Sequence, residues 1–310
     1  MTATRQVMTG TILSHKEILP GHFRMTVSWA PSMETIPSPG QFVMVRRRAE
    51  DTPFLPRPFS VYDMDLTEGL EKVILLYRVA GKGTEIFSRM KRGETLSLIG
   101  PLGRGFTAVP EKPTLLLVGG GMGVVPLHYL ARTLTDRLEK GEVSLHAYLG
   151  CGNSNFFPLF RGFKSLCSVF RVSTDDGSVG FKGTVMDLLE REVHRYDPAR
   201  TMIYGCGPRP MLTRLAAFGI RNGVTGQLSM EERMACGVGA CLGCAVSLKT
   251  AGGEGNYVRV CREGPVFSFD EFQDSGTRKV EECSVTDGFV KRSEGKAPKS
   301  RRMNNKRGQI

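Results

Sequence analysis

Apolar and polar residues alternate in short runs through the first third of the chain, at 6–12, 23–29, 41–45, 73–79 and 95–99. Alternation with period two marks a strand with one buried face. Turn-forming clusters such as Pro37-Ser-Pro-Gly40 and Gly100-Pro-Leu-Gly103 separate the runs, and this rhythm predicts a small antiparallel β-barrel over residues 1–110. The pattern then changes. Residues 114–118, Thr-Leu-Leu-Leu-Val, are continuously apolar, as a parallel strand covered on both faces requires. A glycine run, Gly119-Gly-Gly-Met-Gly123, and a helical pattern over 126–139 follow. Further strands are expected at 143–149, 168–173 and 201–204, so residues 111–225 read as a doubly wound parallel α/β domain. Residues 226–273 form a small third domain with a cysteine loop and a hairpin of 245–248 with 257–260. The stretch 274–310 is polar and charged and is expected to be disordered.

The chain has 310 residues, 40% of them hydrophobic, and a net charge of +11. Such a charge suggests a nucleic-acid partner, but its location argues against one. Residues 289–310 carry eight Lys/Arg and one Glu, whereas the rest of the chain is nearly balanced. The excess belongs to a solvated tail, and no nucleic-acid role is expected. The opening MTATRQVMTG lacks the basic-then-apolar order of a secretory signal. The most apolar stretch, 114–130, holds four glycines and a proline and is too short to span a membrane. A cytoplasmic protein without membrane contact is expected.

Four cysteines, Cys236, Cys241, Cys244 and Cys261, are spaced C-x4-C-x2-C with a distant fourth. That is the plant-type [2Fe–2S] spacing. Structural zinc usually takes two short Cys pairs or includes histidine, and disulfides need an oxidising compartment; zinc remains the main alternative. Of the other cysteines, Cys206 is a candidate for a cofactor contact, while Cys151, Cys167 and Cys283 read as buried or incidental. The five histidines, His15, His22, His128, His146 and His194, show no metal spacing.

The glycine run follows a strand and opens a helix, where bare N–H groups suit a pyrophosphate. It is not GxGxxG, and no acidic residue ends the second strand. Tyr204-Gly-Cys-Gly-Pro208 closes another strand of the same sheet, at the carboxyl edge where such sheets bind ligands. In the barrel, Arg57-Pro-Phe-Ser60 sits at the end of a segment, with a guanidinium suited to phosphate and a hydroxyl suited to a flavin edge. Leu76-Tyr-Arg78 and Gly81-Lys-Gly-Thr84 follow, the latter at an expected helix start.

The order of these strings, with GPLG, TDDGS (174–178) and SMEERMACGVGACLGC (229–244), resembles the ferredoxin-reductase-like flavoproteins over residues 5–270. Within them it is most similar to the electron transfer subunits of NAD-dependent dihydroorotate dehydrogenases. The resemblance implies FAD at Arg57, Pro58, Phe59, Ser60, Leu76, Tyr77, Arg78, Gly83 and Thr84. It implies NAD along Gly120, Gly121 and Gly123, with Asp175 and Asp176 near its far half and Cys206, Gly207 and Pro208 near the nicotinamide. It implies the four cysteines as cluster ligands, and an FMN-bearing catalytic partner in a heterotetramer that oxidises dihydroorotate for pyrimidine synthesis. No catalytic acid or base is assigned. A subunit of an NAD(P)H-dependent ferredoxin oxidoreductase or of a soluble hydrogenase would use the same cofactors. A zinc-bearing nucleotide-sensing module is the non-enzymatic alternative.

Overall fold

The structure is a computed structural model and describes residues 6–29, 36–47, 55–67, 69, 71–109, 111–249 and 255–272. The basic stretch 274–310 and Cys283 lie outside these residues.

Six antiparallel strands close the barrel: β1 (Gln6–Leu19), β2 (His22–Ser28), β3 (Phe42–Arg47), β4 (Arg57–Asp65), β5 (Lys72–Arg78) and β6 (Thr95–Leu102), in the order β1-β2-β5-β4-β3-β6. Helix α1 (Lys82–Ser88) bridges β5 and β6. The inward residues of the alternating runs, among them Ile12, Val27, Val45, Val73, Leu75 and Leu98, share one interior with Trp29 and Phe87. All five expected runs are strands. The sixth, β4, is hidden in the sequence by Pro58 and by aspartates at 63 and 65. Its ladder to β5 begins only at Val61, opposite Leu75, so residues 57–60 pair with β3 alone. A proline, having no N–H, is tolerated where one side of the strand is unpaired. Arg57-Pro-Phe-Ser60 therefore opens a strand instead of ending one, and its unpaired side is available to a ligand.

The second layer comprises β7 (Thr114–Gly120), α2 (Val124–Thr133), α3 (Thr135–Glu139), β8 (Ser144–Cys151), α4 (Phe157–Lys164), β9 (Val169–Thr174), β10 (Phe181–Lys182), α5 (Val185–Glu192), β11 (Thr201–Cys206), α6 (Arg209–Arg221) and β12 (Thr225–Ser229). The cysteine region adds a hairpin, β13 (Ala245–Lys249) with β14 (Gly255–Arg259), and then β15 (Val266–Ser268). The sheet runs β10-β9-β8-β7-β11-β12-β15, parallel except for β15, which lies antiparallel on β12. Every residue of β11 is buried, as its central position demands. A domain boundary after residue 225 thus cuts β12, and the third region lends the sheet an edge strand. The sequence Thr-Gly-Gln-Leu-Ser of β12 has too little apolar character to announce this. The single expected helix over 126–139 is two, divided at Leu134.

Barrel and sheet meet along β4 and α2. The His128 ring stacks on Tyr62, with centroids 4.1 Å apart and planes 8° apart, and Nδ1–H donates to the Tyr62 carbonyl at 3.2 Å. Tyr129 donates to the Pro37 carbonyl at 2.8 Å, and Arg132 pairs with Asp63 at 3.4 Å. Burial, the dominant influence, lowers the His128 pKa below its ordinary 6.5, although the Tyr62 carbonyl and Asp63 oppose it. The folded state therefore prefers the neutral ring. The unfolded chain takes up a proton more readily, so this contribution is full above about pH 6.5 and is lost as the pH falls below it. His128→Phe keeps an aromatic stack but cannot titrate. We expect its melting temperature to fall less steeply between pH 7 and 5 than that of the unaltered protein, at the expense of one hydrogen bond, about 1 kcal/mol.

Candidate functional site

A cleft of about 290 Å³ lies between barrel and sheet. Pro58, Phe59 and Ser60 of β4 form one wall, and Leu76, Tyr77 and Arg78 of β5 another. Ala80 and Thr84 close the end near α1, Met122 and Val125 come from the glycine turn and α2, and Ser229, Met230, Glu231, Glu232 and Met234 supply the side toward the cysteine loop. Seven of the nine expected FAD residues share this cleft. The other two, Arg57 and Gly83, meet in an adjoining depression with Arg46 and Arg47. A Cβ on Gly83 would stand 2.4 Å from Arg57 Nε, so the guanidinium lies flat on the first turn of α1. Arg57 on the first turn of α1 suits a phosphate, while Arg47 is paired with Glu94 at 3.3 Å. Arg46 and Arg47 escaped the sequence reading because the strand pattern of β3 ends where they begin.

Tyr77 is nearly buried, in an aromatic group with Phe59, at 5.0 Å, and Phe87. Its hydroxyl donates to His15 Nε2 at 3.0 Å, because His15 Nδ1–H is engaged by the Met90 carbonyl at 2.8 Å. This fixes the tyrosine ring as a wall of the cleft. Burial raises its phenol above the ordinary value of 10, so the ring stays neutral. The cleft is apolar along its length and basic at one end, a form that fits FAD. Arg57→Ala should weaken FAD binding by about 10- to 100-fold, the worth of a charge-assisted pair, measured by flavin fluorescence on titration.

The two glycine turns of the sheet lie side by side. Gly119 stands opposite Cys206 in the β7–β11 ladder. A Cβ on Gly123 would fall 2.1 Å from the Cys206 carbonyl oxygen, and one on Gly120 would meet Met211 at 2.7 Å and Pro208 at 3.0 Å. Gly120, Gly121, Gly123, Cys206, Gly207 and Pro208 are thus one surface at the carboxyl edge, and Met122 carries it into the flavin cleft. The Cys206 side chain is itself buried, at 1% exposure. Burial and the nearby Glu231 push its thiol well above the ordinary range, so this residue meets the turn through its carbonyl and not through its sulfur. Asp175 and Asp176 follow β9, two strands from β7, roughly 10 Å along the edge. The Asp176 carboxylate accepts from Ser178 N and Oγ at 2.9 and 2.6 Å, and Asp175 lies beside Gly152. The spread from nicotinamide end to aspartates fits an extended dinucleotide.

The four cysteines lie together: Cys236 interacts with Cys241, and Cys261 with both Cys244 and Cys236. Four thiols with this spacing suit a [2Fe–2S] cluster. Backbone N–H groups point at the sulfurs, that of Val238 reaching Cys236 Sγ at 3.4 Å. Burial raises the Cys236 thiol, but donation from Val238, Cys241 and Ala240 outweighs it and brings the pKa to about 6. Cys236 is thus prepared for thiolate at neutral pH, whereas burial and Cys244 push the Cys261 thiol up to about 12. Gly237 takes φ 70°, and a Cβ there would strike Met44 at 2.4 Å. The loop is therefore seated directly on β3, two residues from Phe42 of the flavin cleft.

Residues 231–273 match the family model for the iron–sulfur cluster binding domain of dihydroorotate dehydrogenase B. The electron transfer subunit of dihydroorotate dehydrogenase B (NAD(+)) from Caldanaerobacter subterraneus subsp. tengcongensis is 40% identical over 86% of this chain and 98% of its own. That from Desulforamulus reducens is 38% identical over 84% and 96%. The chain belongs to this family. Among solved structures, that of an NADH-dependent reduced ferredoxin-NADP oxidoreductase is 27% identical, with a TM-score of 0.70 over 87% of this chain and 91% of that one. The cytochrome b5 reductase domain of Ulva prolifera nitrate reductase shares the fold at 15% identity and a TM-score of 0.58 over 74% of this chain and 96% of that one.

The segment joining cleft to cluster was missed as site material. Met230, Glu231, Glu232 and Met234 line the flavin cleft immediately before Cys236. Glu231 opens on the cleft, and enclosure by its walls raises the carboxyl pKa, with Arg78 opposing. The string Met230-Glu-Glu-Arg-Met234 carried part of the family resemblance, but without the fold nothing in it assigns these side chains to the flavin cleft.

Proposed function

We propose that this chain is the electron transfer subunit of a dihydroorotate dehydrogenase B, carrying electrons between a catalytic partner and NAD through a [2Fe–2S] cluster and FAD. The observation that carries the reading is the shared wall: Met230, Glu231, Glu232 and Met234 line the flavin cleft and lead directly into Cys236. Cys236, Cys241, Cys244 and Cys261 hold the cluster. Arg57 and Gly83 bind the FAD diphosphate, and Ser60, Tyr77 and Arg78 position its ring system. Gly120, Gly121 and Gly123 with Cys206, Gly207 and Pro208 hold the nicotinamide half of NAD against the same cleft, while Asp175 and Asp176 take the far half. FAD, when bound, supplies the conversion between single electrons and hydride. The chain's own part is to bind, to orient and to exclude water; Met122 and Val125 present an apolar face for the last of these.

The partner in this proposal bears FMN and oxidises dihydroorotate to orotate, and the two subunits form a heterotetramer in the cytoplasm. No helix among the described residues is long and apolar enough to cross a membrane. Higher identity over nearly the whole of the relatives favours this reading over a ferredoxin oxidoreductase or hydrogenase subunit. The test is the visible spectrum of the anaerobically purified chain before and after NADH. Flavin bands with a broad iron–sulfur shoulder, both bleached by NADH, support the proposal. A colourless protein that binds zinc after cluster and flavin reconstitution overturns it.

A further inference from the structure

Arg259 ends β14, opposite Ala245, the residue after Cys244. Its backbone N–H donates to Glu263 Oε2 at 2.7 Å, and its guanidinium donates twice more to the same carboxylate, from Nε at 3.2 Å and Nη2 at 2.6 Å. These bonds fix the plane of the guanidinium. The remaining nitrogen, Nη1, reaches back to the carbonyl of Gly239 at 3.0 Å. Gly239 lies in the loop between Cys236 and Cys241, while residues 259–263 form the turn that carries Cys261. One side chain therefore joins the two segments that supply all four ligands. Arg259 also interacts electrostatically with Cys244 and Cys261. Through Nη1 the guanidinium reaches into the ligand loop, and Glu263 also has Arg262 3.8 Å away.

We infer that Arg259 is a positioning residue for the cluster: it clasps the ligand loop to the turn of the fourth ligand and sets a fixed positive charge beside Cys244 and Cys261, raising the cluster's reduction potential. This rests on the [2Fe–2S] reading of the four cysteines. Reduction adds negative charge to the cluster, and net charge and hydrogen bonding around the ligands are among the influences that set such potentials. Glu263 has the complementary part of holding the guanidinium in place and moderating its charge.

The experiment uses the full chain, reconstituted anaerobically, as Arg259→Gln, Arg259→Lys and Glu263→Gln. Iron and sulfide per chain report the clasp, and an EPR-monitored redox titration reports the potential. Arg259→Gln retains a donor for the Gly239 carbonyl but loses the charge, so its midpoint moves to more negative values. Arg259→Lys restores the charge and brings the midpoint back toward that of the unaltered chain, with lower iron retention because the fork is lost. Glu263→Gln moves the midpoint the other way, to more positive values. Opposite shifts from removing opposite charges are a result that loosening alone does not give. Fully loaded variants with unmoved midpoints, or Arg259→Gln and Glu263→Gln shifting in the same direction, overturn the inference. If Arg259→Gln fails to hold a cluster, Glu263→Gln and Arg259→Lys decide it: an unmoved or lowered midpoint in Glu263→Gln, or one strongly lowered in Arg259→Lys, overturns it. An unaltered chain that takes up no iron and sulfide fails the cluster reading instead.

Discussion

Cys244→Ser should abolish the iron–sulfur absorption and stop electron flow between the partner subunit and NAD, yet leave NADH able to reduce the flavin. Cys244 is 3% exposed and pairs with Cys261, itself 1% exposed, so a hydroxyl there replaces a buried soft ligand with a hard one that does not match iron. The cleft residues of β4 and β5 stand on other elements than this pair, and the glycine turns stand on β7 and β11. Flavin and dinucleotide sites therefore survive the change. Flavin content, iron content and NADH-driven bleaching, measured on one sample, separate the outcomes. Loss of NADH-driven bleaching along with the iron would mean that the sites are not independent, and the proposed route from cluster to cleft to nicotinamide turn would need redrawing.

Gly123→Ala should lower the rate of flavin reduction by NADH about 100-fold, as expected for a displacement near 1 Å at a reacting centre. The new methyl would lie 2.1 Å from the Cys206 carbonyl oxygen, 2.4 Å from its carbon and 2.6 Å from Gly207 N. All three are backbone atoms, so no side chain can swing aside. The turn after β7 must part from the turn after β11, at an overpacking expense of about 1–3 kcal/mol. FAD binding should persist, because Arg57, Gly83 and Tyr77 stand on other elements. Gly121→Ala is the contrasting variant. Nothing lies within 4 Å of its added methyl, and only the backbone angle, φ 54°, resists it, an effect of about 1 kcal/mol. Stopped-flow reduction and thermal melts of the two variants check the contrast; equal rates in both would show that the Gly123–Cys206 contact does not position NAD.

The legible parts of this fold are those in which one physical signal dominates. Barrel strands announce themselves by alternation, and β7 by its unbroken apolar run. The cysteine spacing survives without any fold, because ligand geometry constrains it directly. What stayed hidden depends on neighbours. Strand β4 carries a proline that is acceptable only because β5 pairs no earlier than Val61. The edge strand β15 is three residues long and owes its place to β12. Arg46, Arg47 and Glu231 are unremarkable in sequence, since exposed charges are common; closure of the barrel brings the two arginines to the depression beside Arg57, and the return of the chain after β12 brings Glu231 to the cleft. Arg259 reads as one more hairpin charge until Glu263 and the Gly239 carbonyl are seen around it.

In its proposed function this chain connects dihydroorotate oxidation to NAD. Its most direct test mixes the purified chain, loaded with FAD and cluster, with an FMN-bearing catalytic subunit, and follows NADH formation at 340 nm, a wavelength set by the nicotinamide, after dihydroorotate is added. NADH should form only when both proteins are present, and not at all with Cys244→Ser. NADH formation by the catalytic subunit alone, or undiminished formation with Cys244→Ser, would contradict it.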